Sequence, residues 1–207
     1  MVSNGILLLN YSKFNQNTSN DILPYSYFNI GYRPNGPQTN VALTTITEGG
    51  WELCYSSRYD STITESTMST IKNSQCTKAK ILFGCRLTSS SNNIRTLAWA
   101  PRNCVFSSTG PNRHNTTTCE GTEWYFNTEN SSPGHVSWGF AKEGDGVNKN
   151  NCDFLTTGCN ECRLCWHLDS SSGYRCGSER SAGSNYERVI FQTGKGQKEY
   201  SPKSWIV

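Results

Sequence analysis

Apolar residues along this chain fall in short, aromatic-rich runs separated by Gly, Asn, Ser and Pro. In WELCYSS, Trp51, Leu53 and Tyr55 alternate with Glu52 and Cys54, the period-two signature of a half-buried strand. KAKILFGCRL, IRTLAWA, EWYFNT, VSWGFA, RLCWHL, GYRC and YERVIFQT read the same way, and YSPKSWIV adds one more at the end. About ten short strands at this spacing predict a mainly β fold, a β-sandwich-like domain stapled by disulfides. One helix is expected, over about 62–73, in TITESTMSTIKNS. There Thr62 and Glu65 have capping-box spacing, and Met68 and Ile71 share a face. Its Ser and Thr content gives poor helix propensity, so tertiary packing must hold it.

The pattern also divides the chain. Residues 1–47 lack cysteine and hold the short apolar pieces ILLLNY, YSYFNIGY and VALTTI between turn signals such as Pro34-Asn35-Gly36-Pro37. They are either a β-rich part of the main domain or an arm that adds a strand to a neighbouring copy. Residues 48–193 carry every cysteine, and 194–207 form a tail or further strand. In the arm reading, Ile6, Leu7, Leu8 and Leu9 at one end and Trp205 and Ile206 at the other are the assembly residues. ILLL is also too short for the apolar core of a signal peptide, so a secreted form implies a removed leader or an added Met1.

Composition narrows the class. Of 207 residues, 34% are hydrophobic and 12% aromatic, too many for disorder, and a chain of this length can bury one sizeable core. No apolar stretch approaches the ~20 residues of a transmembrane helix. Net charge is +3 and dispersed, with only a thin basic run at Lys195, Lys198 and Lys203, which argues against nucleic acid as a partner.

Ten cysteines set the compartment: Cys54, Cys76, Cys85, Cys104, Cys119, Cys152, Cys159, Cys162, Cys165 and Cys176. Cys159, Cys162, Cys165 and His167 lie within nine residues, but zinc normally draws its four ligands from two separate knuckles, and no second C-x-x-C exists. The segment RLCWHLDSSSGYRCG reads as strand, turn and strand, not the helix that a redox thiolate needs. All ten are therefore expected in structural disulfides, in an oxidising, extracellular or cell-surface setting. Two local pairings are expected: Cys165 with Cys176 across a hairpin, and Cys104 with Cys119 around a polar loop, the latter stabilising by about 3 kcal/mol. Asn10, Asn17, Asn115 and Asn130 stand in N-glycosylation sequons.

Taken together, GGWELCYSS, ILFGCRL, LAWAPR, EWYF, SWGFA, NCD, RLCWH, GYRCG and YERVIFQ resemble an uncharacterised cysteine-rich extracellular domain of secreted bacterial and microbial eukaryotic proteins. The resemblance covers about residues 49–193. It implies location and fold but no catalytic activity and no cofactor. It also implies that Cys54, Cys76, Cys85, Cys152, Cys165 and Cys176 belong to a shared scaffold. Cys104, Cys119, Cys159 and Cys162 are then additions of this chain.

Candidate chemistry is sparse. There is no G-x-S-x-G, H-E-x-x-H, P-loop or G-x-G-x-x-G. His114, His135 and His167 are scattered, with His167 the one inside a strand pattern. Glu120 and Glu123 before Trp124, and Asp145 and Asp153 around a turn-rich loop, are the carboxylates that a hydrolase would use in pairs. In EGDGVNKNNCD, Glu143, Asp145, Asn148 and Asp153 could offer oxygens to calcium, without EF-hand spacing. Trp51, Trp99, Trp124, Trp138 and Trp166 lie in strand runs and are expected in the core; Trp205 is the one expected at the surface. The leading expectation is a non-enzymatic extracellular structural protein, without cofactor, that self-assembles as a homo-oligomer or filament through terminal strands. A glycan-binding adhesin is the alternative, and a polysaccharide hydrolase the third reading.

Overall fold

The computed structural model describes residues 31–109, 115–127, 137–147, 157–167 and 174–194. In chain order these form β1 (Gln38–Ala42), α1 (Leu43–Glu48), β2 (Glu52–Arg58), α2 (Glu65–Thr70), β3 (Lys80–Leu87) and β4 (Asn93–Pro101). Next come α3 (Arg102–Val105), β5 (Thr117–Cys119), β6 (Thr122–Asn127), β7 (Ser137–Lys142), β8 (Leu164–His167), β9 (Arg175–Cys176) and β10 (Tyr186–Thr193). The strands make two five-stranded sheets, ordered β1-β4-β3-β10-β2 and β5-β6-β7-β8-β9. Every pairing is antiparallel. The fold is mainly β, as the alternation predicts.

Aromatic side chains from facing strands fill the space between the sheets. Phe83 of β3 lies 4.2 Å from the Trp138 ring of β7 and 4.1 Å from Trp166 of β8, and those two tryptophans meet edge to face at 5.3 Å. Ile81, Cys85, Ala98, Ala100, Ile190, Trp124, Phe140 and Leu164 complete this layer. The first sheet is buried on its other face too. Leu82, Leu97, Trp99, Val189 and Phe191 pack outward against Ile46 of α1 and Trp51. That double burial is why β3 and β10 read as nearly unbroken apolar runs.

The outer layer ties residues 31–48 to the same body. The Trp51 indole donates to the Tyr32 carbonyl at 2.7 Å and that of Trp99 to the Pro34 carbonyl at 2.8 Å. Burial pushes the Tyr32 phenol up to about 12. Strand β1 pairs with β4. LTTITE, expected to be extended, is instead helix α1: Ile46 reaches the outer core while Thr44, Thr45 and Thr47 face solvent.

The expected helix is present as α2 and a π-helical turn over Ile71–Gln75, with Met68 and Ile71 buried. Its N-cap, however, is Thr64, whose hydroxyl accepts from the Thr67 N–H at 3.1 Å, not Thr62.

Four bridges have both ends described: Cys54–Cys76, Cys85–Cys176, Cys104–Cys119 and Cys159–Cys162. The expected Cys104–Cys119 pairing holds. The expected Cys165–Cys176 pairing does not. Cys176 on β9 reaches across the sandwich to Cys85 on β3, because both project into the inter-sheet layer. Cys165 projects to the opposite face of its sheet, beside Tyr125, Ala141 and Val147, and is also disulfide-bonded. Cys152 lies outside the described residues.

Among the described residues, three arginines are fully buried and serve loops. Arg188 donates to the carbonyls of Arg58, Ser61 and Tyr59 at 2.8–3.0 Å and lies over the Tyr59 and Trp166 rings. Arg163 holds the carbonyls of Asp145, Gly146 and Thr157, and Arg175 holds those of Gly177 and Asn160. A planar fork with five donors suits this task, since several carbonyls that have left a strand ladder need partners at once.

Candidate functional site

Strand β1 is an edge strand, and its ladder with β4 breaks at one residue. Pairing runs Gln38↔Leu97, Thr39↔Thr96, then Val41↔Ile94, so the register sets Asn40 opposite Arg95. Asn40 has φ of 53°, the left-handed region that asparagine tolerates better than most residues. At this break a cleft of about 400 Å³ opens between the first sheet and the turn Asn160–Cys162 that precedes β8. Thr39, Asn40, Leu87, Ser90, Asn93, Arg95 and Glu161 line it.

The charged pair at its centre is held from several sides. Arg95 donates to the Tyr186 hydroxyl and the Ser178 hydroxyl, each at 2.8 Å, and its guanidinium lies over the Tyr186 ring. Its Nε is 3.6 Å from a Glu161 carboxylate oxygen, which also accepts from the Ser178 N–H at 3.3 Å. Burial raises the Glu161 pKa, but the hydrogen bonds from Ser178 and the Arg95 charge outweigh it, so the carboxyl ionises below its ordinary 4.5. The Glu161 side chain remains 47% exposed and that of Arg95 31%. The cleft thus offers a fixed donor, a fixed acceptor, two amides, two hydroxyls and one apolar side chain, with no net charge from the ion pair.

None of the seven lining residues stands out in the sequence as chemistry. The signals are weak: Arg95 is a polar interruption in IRTLAWA, and Glu161 lies inside the C-x-x-C. The residues that the sequence singles out go elsewhere. Trp51, Trp99, Trp124, Trp138 and Trp166 are all buried, which removes them as stacking platforms for a sugar. His167 is buried and stacked on Tyr174 at 4.5 Å, whereas His114 and His135 lie outside the described residues.

Glu120 occupies a tight turn with Gly121 between β5 and β6, and Glu123 accepts from the Gly144 N–H at 3.3 Å on the surface. Of the calcium candidates, Asp145 accepts from the Cys159 N–H at 2.7 Å and faces the buried Arg163 at 3.9 Å, so its charge is already matched. Glu143 is exposed, and Asn148 and Asp153 lie outside the described residues. Among the described residues no three His, Cys, Asp or Glu side chains gather around a metal position.

Asn115 is exposed, as a glycan would require. The sequons at Asn10, Asn17 and Asn130, and the assembly residues Ile6, Leu7, Leu8, Leu9, Trp205 and Ile206, lie outside the described residues. No described helix is long and apolar enough to cross a membrane.

Comparison with known proteins finds no family model, no curated protein and no solved structure that matches this chain.

Proposed function

We propose that the protein is a non-catalytic, disulfide-locked module of the extracellular space that binds a neutral glycan in the cleft between β1–β4 and the Asn160–Cys162 turn. The observation that carries this reading is the cleft lining: amide, hydroxyl and ion-paired side chains fixed on a rigid oxidised body. A sugar ring presents alternating hydroxyl donors and acceptors, and such preset partners bind it with little ordering cost. Leu87 supplies an apolar surface for the ring's C–H groups. Hydrolysis is the weaker reading, because a glycosidase needs two converging carboxyl groups and Glu161 is the one carboxylate in this lining. The bridges favour an oxidising compartment.

The test is a broad glycan array probed with the labelled protein. Binding to a restricted set of neutral glycans is expected, falling at least about tenfold in Asn93→Ala and in Glu161→Gln, a loss of ~1.4 kcal/mol. A silent array, or binding that both variants retain in full, contradicts the reading.

Self-assembly is the second reading. It is favoured by Leu53, 50% exposed on edge strand β2 and the large exposed hydrophobic among the described residues. An extended segment of a second copy could pair there. Deleting residues 1–14 should then leave a folded monomer, checked by light scattering. Unchanged assembly after the deletion rules out the arm.

A further inference from the structure

The Cys159–Cys162 bridge differs from the other three whose ends are both described. Each of those has at least one deeply buried cysteine: Cys76, Cys85 and Cys176 at 0% exposure and Cys104 at 4%. Cys159 and Cys162 are both only half-buried. They are also three residues apart, against separations of 22, 91 and 15 in the others. A bridge stabilises the fold in proportion to the logarithm of the loop it closes, so this one contributes least to global stability. What it does close is the turn that carries Glu161.

The rest of the turn is anchored at its flanks. The Cys159 N–H donates to Asp145, and Arg175 donates to the carbonyl and side chain of Asn160 at 3.3 and 2.9 Å. Glu161 itself is held by half-exposed contacts from Ser178 and Arg95, with the Ser178 N–H at 3.3 Å and the Arg95 Nε at 3.6 Å. Contacts of that kind are weak alone. The bridge, with the Cys162 N–H donating to the Cys159 carbonyl at 3.2 Å, closes the turn that holds this carboxylate over Arg95.

We infer that Cys159–Cys162 is a reducible latch on the cleft: a thiol reductant opens it first, releases Glu161 and lowers ligand affinity while the body stays folded. The effect on affinity rests on the proposed glycan binding. In the chemical step a reductant thiolate attacks one sulfur and forms a mixed disulfide. A second thiolate then displaces the protein sulfur. Two electrons and two protons pass to the protein, giving two cysteine thiols and one oxidised reductant disulfide.

The experiment treats the folded protein with graded dithiothreitol, alkylates new thiols with iodoacetamide and maps them by peptide mass. Labelling should appear at Cys159 and Cys162 before Cys54, Cys76, Cys85, Cys104, Cys119, Cys165 or Cys176. Amide shifts should change at Arg95, Glu161 and Ser178 and leave β3 and β10 in place. Affinity for the array-selected glycan should fall about tenfold, and the paired substitution Cys159→Ser, Cys162→Ser should reproduce that loss with Tm lower by about 4–8 °C and the body still folded. Labelling of any other bridge first, or a reduced protein whose Glu161 and Arg95 signals do not move, overturns the latch. If the oxidised protein binds no glycan, the cleft reading fails separately, and labelling order and amide shifts still decide the latch.

Discussion

Gly139 lies in the middle of β7, where the Tyr125 ring crosses the second sheet. A Cβ there would collide with the Leu164 carbonyl oxygen and lie 2.5 Å from the Tyr125 hydroxyl. Backbone oxygen cannot give way, so Gly139→Ala should destabilise by ~3 kcal/mol, read as a lower midpoint in urea. Arg188 makes the complementary case for a buried charge. Its guanidinium ties the turn after β2 to β10 through three carbonyls and two rings, without a carboxylate bonded to it. Arg188→Met keeps the bulk and strands those acceptors, costing roughly 3 kcal/mol. In the cleft, Glu161 has a folded pKa below its unfolded value. Its ionic contribution is therefore complete above about 4.5 and is lost as pH falls through the lower folded value. Glycan affinity should stay level from neutral pH down to that point, measured by titration across pH. A fall centred near ~6.5 would point to a histidine instead.

At the scale of elements, most strands are legible because alternation and burial agree. WELCYSS, KAKILFGCRL, EWYFNT and YERVIFQT differ by at most two residues at either end from β2, β3, β6 and β10. Misreadings occur where local chemistry competes with pattern. VALTTI has the β-branched content of a strand, yet its second half is a helix, since the outer face of the first sheet takes Ile46 at helical spacing. TTCEGTEW hides a hairpin: Glu120 and Gly121 both have positive φ, the two-residue turn that joins β5 to β6. Sheet edges are also written weakly. Strands β5 and β9 are only three and two residues long, β1 is interrupted at Asn40, and β2 carries a register shift opposite Ile190 and Phe191. These are the usual means of discouraging edge-to-edge pairing. Leu53→Lys on β2 should accordingly leave Tm within a few degrees. Loss of any higher-order species in sedimentation would assign β2 to the assembly reading.

For the whole molecule, local spacing could identify Cys104–Cys119, but not Cys85–Cys176, whose 91-residue separation is set by how the two sheets face each other. That bridge closes the longest described loop and should stabilise by roughly 4–5 kcal/mol, against about 2 kcal/mol for Cys159–Cys162. The cleft is illegible in the sequence for the same reason. Its lining comes from β1, the β3–β4 hairpin and a turn before β8, which meet only when the sandwich closes. Ellman titration of the denatured, unreduced protein should find essentially no thiol. Occupancy of the cleft is read most plainly by a ¹H–¹⁵N titration of the oxidised protein with its array-selected oligosaccharide. Saturable shifts confined to Thr39, Asn40, Ser90, Asn93, Arg95 and Glu161 are expected. Shifts clustered along β2 around Leu53, or none at the cleft while glycan binds, would contradict it.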